Sequence, residues 1–184
     1  ADTLAALRMA KERGCRVLSI VNVVGSTIAN ESDDVLYTWA GPEIAVASTK
    51  AYSTQLAVIY MIALYMAEQL GEVSQEDLDR YIADLQRLPD LAEASLADKK
   101  TIQYFASQYF NAKDMYFIGR NVDYAASLEA SLKLKEISYI HSEAYTGGEL
   151  KHGPISLIED GTLVIAIATY EKLFDKMMSN VREV

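Results

Sequence analysis

The chain has 184 residues, of which 51% are hydrophobic, and its formal net charge at pH 7 is −9. This composition is sufficient for a packed core and excludes a disordered chain. A phosphate backbone requires a basic face, and no cluster of Lys or Arg provides one, so we expect no nucleic-acid partner. The single cysteine, Cys15, cannot form an internal disulfide. It favours a reducing, cytoplasmic location and predicts a buried thiol.

No stretch of the sequence has the length of a membrane span. The longest apolar run, 56–67, has twelve residues, whereas a helix needs about 20 to cross a bilayer. We interpret this run as a buried helix and expect no membrane partner. The chain begins at Ala1 inside an amphipathic helical pattern. We therefore expect both termini to be cuts through a longer protein.

The first half of the chain alternates predicted helices and strands. A helix over 2–13 ends at Gly14, and a nearly continuous apolar run over 16–24 predicts a strand buried on both faces. A short helical segment over 28–32 and a second strand over 34–39 follow. This alternation predicts an α/β fold of the doubly wound kind, with parallel strands between layers of helices.

A long helix is predicted from about Ser48 to Leu70, after a break at residues 40–42. Ser48 or Thr49 is a suitable N-cap, which would place hydroxyls beside the unpaired N–H groups at the positive end of the helix. A site for an anion or a sugar hydroxyl would use these groups. Ordinary capping without a ligand explains the same residues.

Residues 72–100 are acidic and helical in pattern, with a predicted break at Pro89. The second half then repeats the α/β alternation, with a helix over 101–111, strands over 115–120 and 162–169, and helices from about 124 and 172. We therefore predict three parts: the later half of a first α/β domain over 1–72, a helical connection over 73–100, and the opening half of a second domain over 101–184.

The predicted helix near 125–138 carries its charges in an unexpected place. We interpret one side as the solvent face, and its residues are Ser127, Ser131, Lys135 and Ser138. On the opposite side Glu129, Lys133 and Glu136 are spaced four and three residues apart, between apolar flanks. Ordinary surface ion pairs would explain this spacing. A partly buried row facing a cleft would also explain it, and a carboxylate in such a row can serve as a general base.

The motifs that are missing exclude several enzyme classes. No group of His, Cys, Asp and Glu has zinc-ligand spacing, because the two histidines, His141 and His152, are eleven residues apart and Cys15 is remote. No Walker A loop and no Rossmann glycine fingerprint occurs. Acid–base chemistry by Glu136, Lys133 and His152 remains.

Four segments resemble the isomerase part of the glucosamine-6-phosphate synthase family, the isomerising glutamine:fructose-6-phosphate aminotransferases. They are Val21–Ser26, Ala47–Ala51, Leu132–His141 and Gly148–Pro154. The likeness extends over essentially the whole chain, and the last two segments are long and specific. In that family the isomerase part consists of two sugar isomerase (SIS) domains. The resemblance therefore implies parts of two α/β domains of this type.

The resemblance implies roles for three residues of the second half. Glu136 matches the family's base, which moves a proton between C1 and C2 of the sugar imine. Lys133 matches the neighbouring residue that contacts the reacting hydroxyls. His152 matches the histidine that opens the sugar ring and that, in the family, comes from the other subunit. A homodimer is therefore implied.

The loop before the long helix matches the family's sugar-contacting loop at Val46, Ala47 and Ser48. Glu129, four residues before Lys133, is expected to support the row. The implied substrates are fructose 6-phosphate and ammonia derived from glutamine, and the implied product is glucosamine 6-phosphate. No cofactor and no metal is implied.

Two features of the family pattern have no counterpart in these 184 residues: the phosphate-binding loop Ser-Gln-Ser-Gly-Glu-Thr and the C-terminal lysine that forms a Schiff base. We therefore expect little or no turnover by this polypeptide alone. Two alternatives share the fold, namely a regulator that binds a phosphosugar without catalysis and a deglycase that acts on fructosamine phosphates. A regulator needs no base such as Glu136, and the Gly148–Pro154 match favours the synthase over both.

Overall fold

The structure, a computed structural model, describes residues 2–184. Within these residues the chain forms seven α-helices and five β-strands. They divide into two compact units, the first ending at Ala97 and the second comprising Asp98–Val184. The domain limits 1–72 and 101–184, with a connection over 73–100, stay a prediction.

The first unit combines four helices with a pair of parallel strands among the residues described up to Ala97. Its elements are α1 (Asp2–Glu12), β1 (Leu18–Val21), α2 (Thr27–Glu31), β2 (Asp34–Tyr37), α3 (Thr49–Leu70) and α4 (Gln75–Leu96). Ser26 caps α2 by accepting a hydrogen bond from the N–H of Ala29. Arg8 of α1 donates two hydrogen bonds, of 2.7 and 2.6 Å, to Glu31 and so joins α1 to α2.

The second unit is a parallel sheet with helices on both faces. Its elements are α5 (Lys99–Tyr109), β3 (Asp114–Gly119), α6 (Val122–Ser138), β4 (His141–Thr146), β5 (Leu163–Ala166) and α7 (Phe174–Glu183). The strand order is β4-β3-β5, and both neighbours of β3 run parallel to it. The central strand is therefore the most buried one. This arrangement confirms the predicted α/β class with parallel strands.

The two faces of this sheet are covered by different elements. A fully buried cluster covers one face. It consists of Ile118 of β3, Met177 of α7, and Leu150, which follows β4. Because successive side chains of a strand point to opposite faces, Phe117 lies on the other face. The helix α6 packs on that second face, where Ser142 of β4 meets it.

The predicted solvent face of α6 is wrong at two positions. Ser127 and Ser131 are 0% and 2% exposed, whereas Leu128 and Leu132 are 48% and 44% exposed. The small serine side chains allow α6 to lie close to the sheet. The buried hydroxyl of Ser131 accepts a hydrogen bond of 3.0 Å from Ser142, so burial leaves it paired. Close packing, rather than hydropathy, decides which side of α6 faces the sheet.

The first unit buries less of its apolar surface than the sequence predicts. Cys15 is exposed in the turn between α1 and β1, so the prediction of a buried thiol is wrong. Leu18 of β1 is also exposed, because a pair of strands covers little of either face. In the run 56–67, Val58 is buried but Ile59 and Tyr60 are exposed. The interpretation of this run as a buried helix is therefore wrong, since α4 covers only part of α3.

Two further differences concern element boundaries. Pro89 lies inside α4, which continues from Gln75 to Leu96 without the predicted break. A proline removes one N–H from a helix at a cost of about 3 kcal/mol, and the strong helical pattern on both sides of Pro89 outweighs that cost. The strand β4 is not predicted at all, because its polar residues, such as His141 and Glu143, do not form an apolar run. None of the helices in residues 2–184 combines the length and apolar composition needed to span a bilayer.

The strand β3 ends at a glycine for a steric reason. A Cβ atom on Gly119 would lie 2.4 Å from the carbonyl oxygen of Asp123 and 2.6 Å from the backbone nitrogen of Tyr124. Backbone atoms cannot move away as the tip of a flexible side chain can. Glycine at this position therefore allows the first turn of α6 to lie directly against the end of β3.

We expect the buried serine side of α6 to reject a large side chain. Ser131→Leu should lower the free energy of unfolding by about 2–3 kcal/mol, because the added atoms would enter filled space between α6 and β4. Leu132→Ser, on the exposed side, should change it by less than about 1 kcal/mol. Urea unfolding followed by far-ultraviolet circular dichroism measures both effects. A larger loss for Leu132→Ser would contradict the observed orientation of α6.

Candidate functional site

Three charged side chains of α6 form the row that the sequence predicts. Lys133 Nζ donates a hydrogen bond of 2.6 Å to Glu136 Oε2 and lies 3.5 Å from Glu129 Oε1. The side chains of Glu129, Lys133 and Glu136 are 24%, 21% and 31% exposed, so the row is partly buried. The spacing of three and four residues brings the three groups to one side of the helix.

The row keeps Lys133 positively charged. Its hydrogen bond to Glu136 raises the pKa of Lys133 above the ordinary value, and the charges of Glu136 and Glu129 act in the same direction while burial opposes them. Lys133 is therefore an ammonium donor at neutral pH. A fixed donor beside a carboxylate acceptor is the arrangement that a proton transfer next to a carbonyl or imine requires.

His152 lies in the segment that follows β4. A single 3₁₀ turn, Leu150–His152, is anchored by the fully buried side chain of Leu150. The backbone N–H of His152 donates to the carbonyl of Glu149 at 2.9 Å, and the residue as a whole is exposed. The imidazole is thus carried on an anchored turn and is accessible to a ligand or a partner.

The other histidine belongs to a separate set of polar contacts on β3 and β4. His141 Nδ1 lies 2.7 Å from Asp114 Oδ1, at the start of β4. Tyr145, at the other end of the strand, donates a hydrogen bond to Glu143, which raises the pKa of Tyr145 to about 12. His141 is therefore held at the end of β4 that lies away from the turn carrying His152.

In the first unit, Val46, Ala47 and Ser48 end the loop that leads into α3. Val46 is exposed, whereas Ala47 is buried and anchors the end of the loop. Ser48 occupies the N-cap position in the left-handed conformation, with φ at 48°, which few residues other than glycine adopt. In the part of the chain that the structure describes, its hydroxyl makes no capping hydrogen bond. It stands beside the N–H groups at the start of α3 and can contact a ligand there.

Asn22, directly after β1, holds the beginning of this loop. Its Oδ1 accepts hydrogen bonds from the N–H of Ala40 at 2.9 Å and from the hydroxyl of Thr38 at 3.1 Å. Its Nδ2 donates to the carbonyl of Gly41 at 2.6 Å. Asn22 lies in one of the segments that carry the resemblance, but its type alone indicates no role. Its position at the carboxyl end of a strand is the signal that could have identified it.

The structure therefore groups the predicted site residues only in part. It brings Glu129, Lys133 and Glu136 into direct contact. His152 belongs to the same unit but to a different segment, and among residues 2–184 no hydrogen bond or ion pair joins it to the row. Across the described part of the chain, no three His, Cys, Asp or Glu side chains converge as metal ligands would.

Comparison with known protein families matches residues 1–65 and 108–184 to the SIS domain. The chain belongs to the SIS domain family. The matched residues include the loop ending at Ser48, the row on α6 and the turn that carries His152. This result confirms the resemblance on which the site residues were chosen, while their individual roles stay predictions.

Sequence relatives that match the whole chain include two bacterial aminotransferases. Over all 184 residues the chain is 59% identical to the isomerising glutamine–fructose-6-phosphate aminotransferase of Clostridium tetani and 58% identical to that of Caldanaerobacter subterraneus. It spans 30% of the length of each. Among solved structures it resembles the C-terminal domain of glucosamine-fructose-6-phosphate aminotransferase from Francisella tularensis, with a TM-score of 0.96 and 37% identity. That similarity covers 99% of this chain and 51% of the other.

Asp123, which the sequence does not single out, ties the start of α6 to the loop after β5 in the second unit. It is buried and accepts hydrogen bonds from the N–H groups of Thr169 at 2.9 Å and Tyr170 at 3.0 Å, and from the Thr169 hydroxyl. The strand order reverses at β3, so the loops after β3 and β5 flank the crevice where sheets of this kind bind ligands. The Asp123 carboxylate therefore connects the two sides of that crevice.

The charge state of Asp123 is set by two opposing effects. Burial raises the pKa of the carboxyl, but the hydrogen bonds from Thr169 and Tyr170 outweigh burial, and the pKa lies below its ordinary value. A carboxyl with a lower pKa in the folded state stabilises the fold above the unfolded pKa of about 3.9. That contribution is lost as the pH falls through the folded-state pKa.

Asp123→Asn should lower the free energy of unfolding at neutral pH by about 2 kcal/mol, because the charged hydrogen bonds are lost. The difference from the wild type should be constant above about pH 5 and should shrink only below about pH 4, where the carboxyl begins to protonate. Thermal unfolding at a series of pH values measures the difference. Asp175→Asn, at an exposed position of α7, is the matched control. A difference that stays constant down to about pH 3 would contradict the role of the charge.

Proposed function

We propose that this chain is the sugar-phosphate isomerase part of an isomerising glutamine–fructose-6-phosphate aminotransferase. Such a protein converts fructose 6-phosphate and ammonia derived from glutamine into glucosamine 6-phosphate. The observation that carries the proposal is the 59% identity to the Clostridium tetani enzyme over the entire chain. The partly buried row on α6 supports it by supplying an acceptor and a donor for proton transfer.

In this proposal Glu136 is the base. Its carboxylate takes a proton from C1 of the protonated sugar imine. The C–H electron pair forms the C1–C2 double bond, and the electron pair of the C2–N double bond moves to the nitrogen, which gives an enolamine. The same group then returns the proton to C2 while the proton of the C1 hydroxyl passes to the nitrogen, which leaves an aldehyde at C1 and an ammonium group at C2. Lys133, held as an ammonium by Glu136 and Glu129, donates hydrogen bonds to the reacting oxygen atoms.

His152 is proposed to open the sugar ring before the proton transfer. Opening requires a proton for the ring oxygen and removal of the proton from the anomeric hydroxyl, and an imidazole can carry out both steps. His152 is exposed on an anchored turn, as a group serving a second subunit must be. We propose that it acts in the site of the partner in a homodimer.

The loop that ends at Ser48 is proposed to hold the sugar. The exposed Val46 and the hydroxyl of Ser48 lie at the start of α3, where backbone N–H groups favour hydroxyl and anionic oxygen atoms. The phosphosugar is the substrate class that these groups fit. A regulator that only binds such a ligand would use this loop but would have no need of Glu136 as a base.

Replacing Glu136 tests the proposed reaction. Residues 1–184 can be exchanged for the aligned segment of the Clostridium tetani relative, and the wild-type exchange protein should form glucosamine 6-phosphate. Glu136→Gln should lower its kcat by about 10²–10⁴-fold, because an amide cannot accept the proton. The KM for fructose 6-phosphate should change little, since the amide oxygen still accepts a hydrogen bond from Lys133. The control is Glu171→Gln, at an exposed position.

Two outcomes would contradict the proposed function. One is a folded wild-type exchange protein without activity. The other is a Glu136→Gln protein whose kcat equals that of the wild type. Binding of fructose 6-phosphate without any turnover in either protein would favour the regulator instead.

Mixing two inactive variants tests the proposed sharing of His152 between subunits. Glu136→Gln and His152→Asn exchange proteins should each be inactive as homodimers. After subunit exchange, half of the dimers are mixed and each mixed dimer has one intact site, so about one quarter of the wild-type rate should return. Sedimentation velocity checks that dimers form. No recovery from a mixture shown to contain mixed dimers would contradict the proposal.

A further inference from the structure

We infer that Arg120 and Asn180 are positioning residues for His152, because they hold the turn on which it is carried. Asn180 is buried on α7. Its Oδ1 accepts two hydrogen bonds from Arg120, from Nε at 3.0 Å and from Nη2 at 2.8 Å. Arg120 follows the last residue of β3. The pair therefore connects the end of the central strand to α7.

The glycines that begin the His152 segment pack directly on this pair. A Cβ atom on Gly147 would lie 2.8 Å from Asn180 Oδ1 and 3.2 Å from the sulfur of Met177. On Gly148 it would lie 3.3 Å from Arg120 Nη2. Because Gly147 and Gly148 have no side chain, the backbone of the segment can lie close to the amide and guanidinium groups.

The same segment is also fixed to the sheet. The Gly147 N–H donates to the carbonyl of Gly119 at 2.9 Å, beside the start of Arg120. Three residues later, Leu150 is fully buried against Ile118 and Met177. His152 follows Leu150 by two residues, inside the same turn. Its position is therefore determined by the contacts of Gly147, Gly148 and Leu150.

The chemistry of the pair indicates a geometric role. A cation that donates to a buried neutral amide contributes less to stability than to orientation, because its desolvation opposes the gain from the hydrogen bonds. The planar guanidinium fixes the direction of two N–H groups at once. The oxygen they meet is the atom that a Cβ on Gly147 would approach most closely, so a rotation of Asn180 would move the turn. The inference rests on the proposed role of His152 in ring opening.

Hydrogen–deuterium exchange of the 184-residue chain, followed by NMR, tests the contact. In Asn180→Ala, the amides of Glu149 and His152 should exchange about tenfold faster or more, because the turn opens more often. The amide of Phe117 in β3 should change by less than about threefold. Asn180→Asp, which keeps an oxygen for Arg120, should restore slow exchange. Ser179→Ala, at an exposed neighbouring position, is the control. If Asn180→Ala does not fold, Arg120→Lys provides a second variant. It keeps the positive charge but cannot donate the two N–H groups of the guanidinium.

A kinetic comparison separates positioning of His152 from a general structural effect. In the exchange protein, Asn180→Ala should lower kcat on fructose 6-phosphate by about tenfold or more. It should leave turnover of 5-deoxyfructose 6-phosphate within about twofold, because this substrate lacks the hydroxyl that closes the furanose ring and needs no ring opening.

The outcomes decide the inference independently of the proposed function. Unchanged exchange at Glu149 and His152 would overturn it, as would equally faster exchange at Phe117. Equal kinetic losses on the two substrates would also overturn it. If the wild-type exchange protein has no activity, the proposed function fails, whereas selectively faster exchange of the turn would still support the contact between Asn180 and the turn.

Discussion

The close approach of α6 to the sheet is the constraint on which the second unit depends. Gly119 allows the first turn of α6 to contact the end of β3, and the small buried Ser131 allows the helix to continue along β4. Because one side of the helix is in this way committed to the sheet, the opposite side must face outward. The row of Glu129, Lys133 and Glu136 lies there, and its side chains are partly buried. A larger residue on the buried side would move the row as well as weaken the packing.

The ends of the strands are held by polar side chains in both units. Asn22 ties the loop before α3 to the end of β1, and Asp123 ties the loop after β5 to the start of α6. Arg120 and Asn180 bond to each other, and the segment after β4 packs against this pair at Gly147 and Gly148. Asn22 and Asp123 bond directly to backbone groups of these loops. Loops at the carboxyl edge of a parallel sheet carry the residues that contact ligands, so these bonds fix the backbone where a ligand would be contacted.

Some of the site follows from sequence spacing, and some does not. The contacts within the row follow from separations of three and four residues on a helix, and the structure confirms them. The start of α3 at Thr49 and the buried strand β3 are also as predicted. The roles of Asp123 and Asn180 were not predictable, because each one bonds to a segment far away in the chain. The sequence around a polar residue does not indicate such a distant partner.

The sequence by itself determined the fold class, the family and the position of the charged row, because all three depend on local periodicity or on matching segments. The tertiary structure alone decided which side of α6 is buried, and it reversed the expectation at Ser127 and Ser131. It also decided that Cys15 and much of α3 are exposed. Hydropathy describes how each side chain partitions from water, whereas burial depends on how closely two backbones can approach and on which elements are present to cover a surface.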